Sequence, residues 1–323
     1  PSADGERSMI KADLITGFLG AGKTTFLKLY AAYLLRQGYR VGILENDYGA
    51  VNADMLMLSE LEGDNCILEM VAGACDADCH RRRFKTKLIA LAMSGCDRVI
   101  IEPSGIFDVD EFFDSLHESP LDRWYEPGSV ITVADAKTDC ELSRDSSYLL
   151  VSQAAVAGKI VLSKTQSASP EDIQNTVGRL NEALKDVGCD RRISVDEVLT
   201  KPWSELDDSD FEALTRCGHA EPDFVKRLTE HGGYGTLYFL NRSFDINRLT
   251  SAVKAIMSDP SCGEVFRAKG FVSDNGGWLE LNATRSQLNV TPTSSGQDIV
   301  IVIGENLSEE AIEKYMGTTN NSL

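Results

Sequence analysis

One short segment, residues 17–25, constrains the fold of this chain more than any other part of the sequence. It reads GFLGAGKTT and matches the pattern G-x-x-x-x-G-K-[ST], which binds nucleotide phosphates where it joins a strand to a helix. The apolar run 9–16 predicts that strand, and apolar residues with a spacing of three to four after Lys23 predict that helix. The segment therefore predicts a phosphate-binding loop, which we call the phosphate loop, at the end of the first strand of an α/β fold.

The chemistry of such a loop assigns a role to each residue type. Glycines let backbone N–H groups wrap around phosphate oxygens, and the helix N-terminus adds partial positive charge. We expect Lys23 to reach the β- and γ-phosphates and the hydroxyl of Thr24 to be a ligand of Mg²⁺. The residues predicted to bind nucleotide in this loop are Gly20, Ala21, Gly22, Lys23, Thr24 and Thr25.

Charge and composition narrow the class of protein. The chain has 323 residues and a formal net charge of -18, which argues against a nucleic acid as the main partner because phosphate backbones bind clustered Lys and Arg. No apolar run reaches the length of a membrane span, and the eight cysteines are scattered rather than packed into a small framework. These features predict a cytoplasmic protein with reduced thiols and no membrane partner, and they are compatible with a homodimer.

The order of predicted elements indicates two domains. Short apolar runs alternate with helical segments up to about residue 200, which predicts a mostly parallel sheet covered by helices. After residue 233, apolar runs separated by turn residues predict a smaller α+β domain with antiparallel strands. We therefore expect a flexible N-terminus at 1–8, a nucleotide domain at 9–200, a linker with a helix at 201–232 and a C-terminal domain at 233–323.

Acidic and glycine residues follow two of the predicted strands. Ligands bind parallel sheets at the carboxyl ends of their strands, so these positions are candidate site residues. Asp47 lies in an acidic loop that suits a mobile switch sensing the γ-phosphate, although a solvated turn has the same composition. Glu102 is placed to hold Mg²⁺, and Gly105 to donate its N–H to the γ-phosphate.

A further strand end carries a candidate base-reading loop, residues 163–166. Ser163, Lys164 and Gln166 occupy the place of the [NT]-K-x-D motif, in which the lysine stem covers the purine and the aspartate accepts two guanine N–H groups. Gln166 stands where the aspartate is expected, and a neutral amide lacks the bidentate, charge-assisted acceptor. The sequence therefore predicts nucleotide binding here with weakened guanine preference.

Two cysteines form the candidate transition-metal site. Cys75 and Cys79 would lie one turn apart on one face if their segment is helical, and His80 follows directly. Thiolates and imidazole suit Zn²⁺, and Co²⁺ accepts the same tetrahedral set. Two reduced cysteines at a helix start are the alternative interpretation.

Together these motifs resemble the CobW family of P-loop GTPases, relatives of the maturation proteins HypB and UreG. The phosphate loop is similar to that family's own variant, and similar motifs occur in order along both domains. They are Asn46-Asp47-Tyr48-Gly49 (family N-E-[FY]-G), Glu102-Pro103-Ser104-Gly105 (E-[TS]-[TS]-G), Ser163-Lys164-Thr165-Gln166 ([NST]-K-[TA]-D) and Phe266-Arg267-Ala268-Lys269-Gly270 (R-x-K-G). The family's G-C-x-C-C motif should begin at Gly73, where this chain reads GACDADC and keeps two thiols.

The resemblance implies a Mg²⁺-dependent, GTP-hydrolysing switch that delivers or inserts a transition metal or metallocofactor into a client metalloenzyme or corrinoid protein. Lys23, Asp47 and Glu102 would be catalytic, and intrinsic hydrolysis would be slow without a partner that supplies an arginine. Cys75, Cys79 and His80 would bind the Zn²⁺ or Co²⁺ cargo. The alternative hypothesis is a GTP/GDP-dependent assembly protein without cargo metal of its own. A third hypothesis, which the sequence favours less, is an ATP-using kinase.

Overall fold

The structure is a computed structural model. It divides the chain into two compact units, Pro1–Arg227 and Leu228–Leu323. In the described part of the chain, no helix is long and apolar enough to cross a membrane. The structure describes residues 8–17, 20–46, 57–71, 77–103, 109–137, 144–186, 188–221, 234–240, 244–274, 277–284, 287–293 and 299–316.

The first unit is built on a seven-stranded sheet in which every pairing is parallel. Its strand order is β3-β2-β4-β1-β5-β6-β7, so the strand that leads into the phosphate loop lies in the middle. The predicted parallel α/β sheet is thereby confirmed. The strands are β1 (Ile10–Thr16), β2 (Val41–Asn46), β3 (Cys66–Val71), β4 (Arg98–Pro103), β5 (Tyr125–Asp135), β6 (Lys159–Ser163) and β7 (Val198–Leu199).

Helices cover both faces of this sheet because its central strands are apolar on both sides. On β4, Val99 and Ile101 belong to one buried cluster and Ile100 to another, since successive side chains point to opposite faces. The first cluster packs against α2 and α3, the second against α1 and α6, and a third joins β6 to α4 and α5. The helices are α1 (Lys23–Arg36), α2 (Ala77–Met93), α3 (Val109–His117), α4 (Arg144–Val156), α5 (Pro170–Asp186) and α6 (Asp208–Thr215).

Residues 201–221 differ from the linker predicted at 201–232. Phe211 and Leu214 of α6 are buried in the cluster around α1, and the ring of Phe211 stacks on that of Tyr33 at 5.3 Å. Asp207 caps α6 by accepting hydrogen bonds from two backbone N–H groups, so the acidic run is a helix start. This segment is part of the first unit, and residues 222–233 lie outside the described residues.

The second unit is a five-stranded antiparallel sheet with two helices, which confirms the smaller α+β domain. Its strand order is β11-β10-β9-β12-β8. Both helices bury apolar side chains in one core with the sheet, and Asp245 caps the first of them. The elements are β8 (Tyr234–Leu240), α7 (Ile246–Ser258), β9 (Glu264–Asp274), β10 (Gly277–Thr284), β11 (Leu288–Thr293), β12 (Ile299–Glu305) and α8 (Glu309–Met316).

Candidate functional site at the carboxyl edge of the parallel sheet

The phosphate loop leaves β1 in backbone conformations that favour glycine. Gly17 has φ 141°, and a Cβ there would lie 2.1 Å from the carbonyl oxygen of Val133 on β5. Gly22 has φ 94° and is the N-cap of α1, which begins at Lys23. The chain therefore turns sharply at the strand end and presents the N-terminus of α1 at the carboxyl edge of the sheet. Ala21 is buried, Gly20 is half-buried and Thr25 is exposed.

Lys23 and Thr24 lie in the first turn of α1 and are only 7% and 8% exposed. The hydroxyl of Thr24 donates a hydrogen bond of 2.9 Å to Oε1 of Glu102 at the end of β4. Glu102 itself is 4% exposed. The fold thus brings together two predicted site residues that are 78 positions apart in the sequence, and Lys23 precedes Thr24 directly on α1. A buried hydroxyl and a carboxylate beside a lysine form an oxygen donor set that suits Mg²⁺.

Glu45 lies in the same corner, and the sequence analysis did not select it as a candidate site residue. It lies on β2 directly opposite Glu102 on β4 in the pairing register, and its side chain is also 4% exposed. Two carboxyl groups on neighbouring strands therefore enter the same buried corner beside α1. The signal was present, because Glu45 ends an apolar run in the same way that Glu102 does.

The base-reading loop follows β6 as predicted. Ser163 is buried at the strand end, and Lys164 has φ 57°, a left-handed conformation that is uncommon for a residue with a side chain. Its Nζ donates a hydrogen bond of 2.6 Å to Oδ2 of Asp135, which ends β5. Gln166 is exposed in the 3₁₀ turn Thr165–Ser167. Asp135, which sequence reasoning did not select, thus fixes the lysine ammonium.

The remaining predicted residues fall wholly or partly outside the description. Asp47, Gly105 and Cys75 lie outside the described residues. Cys79 and His80 lie in the first turn of α2, which begins at Ala77, so the described helix does not extend back to Cys75. Among the described residues, no group of three His, Cys, Asp or Glu side chains is placed to hold a metal ion.

A third buried carboxylate, Asp13, lies deeper in the same sheet and has a different environment. Its side chain is 0% exposed and accepts hydrogen bonds from the guanidinium of Arg98, from the hydroxyl of Tyr30 at 2.9 Å and from the N–H of Ser129 at 2.7 Å. Arg98 also donates to the carbonyl of Thr215 at the end of α6. This cluster ties five elements together beneath the site: β1, β4, β5, α1 and α6.

The electrostatics of this cluster follow from burial and pairing. Burial, and then the neighbouring charge of Asp13, raise the pKa of the Tyr30 phenol well above its ordinary value. Burial opposes the charged form of Arg98, but the hydrogen bond and charge of Asp13 outweigh it and raise the pKa of the guanidinium. The guanidinium of Arg98 therefore stays charged beside the carboxylate of Asp13.

Two family descriptions match the chain along most of its length. Residues 11–193 match the description "CobW/HypB/UreG, nucleotide-binding domain". The chain belongs to the CobW/HypB/UreG family. Residues 236–318 match the "Cobalamin synthesis protein cobW C-terminal domain", which covers the sheet of the second unit. The resemblance inferred from the motifs is confirmed, and the phosphate loop, Glu102 and the base-reading loop all lie inside the first match.

Curated relatives of this CobW-family chain carry names that refer to zinc. "Zinc chaperone YeiR" of Escherichia coli (strain K12) is 27% identical over 51% of this chain and 50% of its own length. "Zinc chaperone YjiA" from the same organism is 28% identical over 53% of this chain and 55% of its own length. The chain thus spans about half the length of these two relatives.

Two further matches extend over most of the chain at lower identity. "Zinc-regulated GTPase metalloprotein activator 1" of Schizosaccharomyces pombe is 23% identical over 92% of this chain and 83% of its own length. The crystal structure of the Zn(II)-bound YjiA GTPase from E. coli covers 96% of this chain and 98% of its own, with 16% identity and a TM-score of 0.37. The fold assignment rests on the strand order described above.

Proposed function

We propose that this protein is a Mg²⁺-dependent GTP-binding and GTP-hydrolysing switch that delivers or inserts a transition metal or metallocofactor into a client enzyme. The observation that carries the proposal is a hydrogen bond between Thr24 and Glu102. Thr24 lies in the first turn of the helix that follows the phosphate loop, and Glu102 lies near the end of β4. The hydrogen bond joins the hydroxyl expected on Mg²⁺ to the carboxylate expected beside it, next to the buried Lys23.

Each residue of this corner would have a separate role in phosphoryl transfer. The ammonium of Lys23 would bind the β- and γ-phosphates and stabilise the charge that develops on the transferred group. Thr24 and Glu102 would hold Mg²⁺, and Glu45 adds a second carboxylate to the same corner. When bound, Mg²⁺ neutralises phosphate charge and orients the transferred group. Burial keeps water from screening these interactions.

The base would lie at the base-reading loop. Asp135 orients Lys164 from the neighbouring strand, which leaves the aliphatic stem of the lysine free to cover a purine. The exposed amide of Gln166 would accept a single guanine N–H. Guanine is proposed from family membership, and the predicted preference over adenine is small.

Switching and cargo binding are proposed from the order of the strands. The loops that carry Asp47 and Cys75 follow β2 and β3, and β2 lies between β3 and β4, the strand that carries Glu102. A shift of one strand end on nucleotide binding would therefore displace the end of the neighbouring strand. Cys75, Cys79 and His80 would hold the cargo, and the zinc in the names of the relatives supports Zn²⁺ as its first candidate.

Free thiols at five described cysteines support a reducing compartment such as the cytoplasm.

The test is a Co²⁺ titration of the reduced protein, with and without Mg²⁺ and a non-hydrolysable GTP analogue. We expect a thiolate-to-cobalt absorption band that changes when the analogue is present, and its loss in the Cys75→Ser/Cys79→Ser variant. Cys217→Ser is the matched control, because this half-buried thiol lies beside Val130 on β5, and three strands separate β5 from β3. A band of equal size with and without nucleotide would contradict a switch.

A second function has one observation in its favour. The segment 73–79 keeps two thiols, whereas the family motif has three, which fits an assembly protein that handles a corrinoid or another enzyme's active site without its own metal. The same titration separates the two. If no band forms while GTP is still bound and hydrolysed, the assembly function is favoured over metal delivery.

A further inference from the structure

Trp203 lies where the two nucleotide-binding loops approach each other. It begins the 3₁₀ turn Trp203–Glu205, between β7 and α6. The ladder between β6 and β7 ends at the pair Val161 and Leu199, so the carbonyl of Leu162 lies one residue beyond it. The indole Nε1–H of Trp203 donates a hydrogen bond of 3.0 Å to that carbonyl. The tryptophan therefore continues the hydrogen bonding of β6 at the point where the base-reading loop begins.

The other edge of the indole lies against the phosphate loop. A Cβ added to Gly22 would be 3.1 Å from Cη2 and 3.5 Å from Cζ3 of Trp203, and 3.9 Å from Cβ of Ser163. Gly22 thus occupies a narrow space between the indole and the first residue of the base-reading loop. Because Gly22 caps the helix that carries Lys23, its position also sets the position of the lysine.

The indole is held from behind by packing. Its ring lies 5.4 Å from that of Phe26 on α1 at an interplanar angle of 56°. The chain on either side is fixed as well, since Nζ of Lys201 donates to Asp207 and Asp210 at 3.0 and 2.7 Å. If Gly22 moves when phosphates bind, it therefore presses on the indole of Trp203, which is packed against Phe26 on its other side.

We infer that Trp203 is a positioning residue of the nucleotide site. It holds the base-reading loop through the carbonyl of Leu162 and the phosphate loop through Gly22, so that occupancy of one loop is transmitted to the other. This inference rests on the proposed function, because it requires that a nucleotide binds at the phosphate loop. Trp203 does not act on the phosphates itself, and its effect passes through the two loops that it contacts.

The spectroscopic test uses the small number of tryptophans. The chain has three, so the Trp124→Phe/Trp278→Phe variant leaves Trp203 as the single indole. We expect its emission to change on addition of Mg²⁺ with GDP or the GTP analogue, with a midpoint equal to the Kd from calorimetry. The matched control is Trp203→Phe/Trp278→Phe, in which Trp124 near the start of β1 should give no change.

The affinity test compares a whole nucleotide with its phosphates alone. Trp203→Phe keeps a ring but removes the N–H donor that holds the carbonyl of Leu162. We expect GTP affinity to fall about fivefold, because the base-reading loop is then less well ordered before the nucleotide binds. The loss should be larger for Mg²⁺·GTP than for Mg²⁺·tripolyphosphate, because only GTP occupies both loops. Trp203→Leu should lose more, and Trp124→Phe should retain the native affinity.

The outcomes distinguish this inference from the function on which it rests. If the native protein binds no GTP in calorimetry, the proposed function fails and the inference fails with it. If GTP binds but the single Trp203 is silent, or if Trp203→Phe weakens GTP and tripolyphosphate equally, the inference alone is overturned. An emission change together with a selective loss of GTP affinity supports it.

Discussion

Two buried carboxylates of the same parallel sheet differ in what surrounds them. Asp13 on β1 receives a guanidinium, a phenol and a backbone N–H from Arg98, Tyr30 and Ser129. Glu102 on β4 lies further along the strand direction, where the sheet ends and α1 begins, and accepts a hydrogen bond from Thr24. Both are almost fully buried, so burial alone does not separate them.

The difference lies in the charge of the neighbours. Asp13 is paired with a fixed cation of the chain, which makes it a structural group. Glu102 faces Glu45 on the next strand, and two carboxylates in one corner favour a cation. The comparison teaches that the carboxylate proposed to act at the site differs from the structural one in its position at the carboxyl edge and in its like-charged neighbour.

The largest expected effect is on stability, at Asp13. Asp13→Asn leaves the buried guanidinium of Arg98 without its counter-charge, and we expect the free energy of unfolding to fall by about 3–5 kcal/mol in urea denaturation. The matched substitution Glu102→Gln should lower it by less than about 1 kcal/mol, because the amide oxygen can still accept the hydrogen bond of Thr24. Equal losses in the two variants would break the comparison.

The next effect is on catalysis, at Glu102. Glu102→Gln keeps the size of the side chain but removes the charge expected beside Mg²⁺, and we expect GTP hydrolysis to fall about 100-fold. The Mg²⁺ concentration needed for half-maximal rate should rise in the same variant. A folded Glu102→Gln protein with native hydrolysis would remove Glu102 from the site.

A smaller effect is expected from a carboxylate added at the exposed part of the same edge. Gln166→Asp should raise the affinity for GTP relative to ATP about tenfold, because an aspartate accepts two guanine N–H groups with charge assistance. Stability should hardly change, since residue 166 is exposed. Competition binding with both nucleotides measures the ratio, and an unchanged ratio would place base recognition elsewhere.

The smallest expected effect is on the free energy of unfolding, at Tyr30, and on how that free energy depends on pH. Tyr30→Phe removes one hydrogen bond to Asp13 and should cost about 1 kcal/mol at neutral pH. In the native protein the pKa of Tyr30 is raised, and burial raises the pKa of Cys66 and of Cys217 to about 11 from 9.0. Groups whose folded pKa is raised stabilise the protein below their unfolded pKa and lose that contribution as pH rises.

Unfolding free energies measured from pH 7 upward should therefore decline above about pH 9, where the unfolded thiols ionise first. Tyr30→Phe should reduce the slope above pH 10 and leave the slope below it unchanged. A stability that stays constant to pH 11 would show that these groups are not buried in solution as described.

The sequence predicted those parts of the candidate site that are marked by local patterns of residues. The spacing of Gly17, Gly22, Lys23 and Thr24 needs no distant partner, and the alternation of apolar runs with helical segments predicted the parallel sheet. Glu102 was found because the end of a buried strand is a position defined by the strand itself.

Long-range contacts were not predictable. Asp13 stands inside an apolar run, and only the pairing of β1 with β4 brings Arg98 to it across 85 positions. The sequence predicts a linker at 201–232 because apolar side chains are few there. The packing of Trp203 and Phe211 against α1 is set by the tertiary fold. Glu45 was passed over because an acidic turn explains it equally well until its register with Glu102 is known.

The strand order also sets a distance. The ends of β3 and β1 are separated by three inter-strand spacings, or about 14 Å, with β2 and β4 between them. Such a span exceeds the reach of a cysteine or threonine side chain, so a metal held after β3 and phosphates held after β1 would share no ligand. Signals between them would have to cross the two intervening strands, which end near Glu45 and Glu102. In the proposed function, these neighbouring carboxylates would be the shortest relay between cargo and nucleotide.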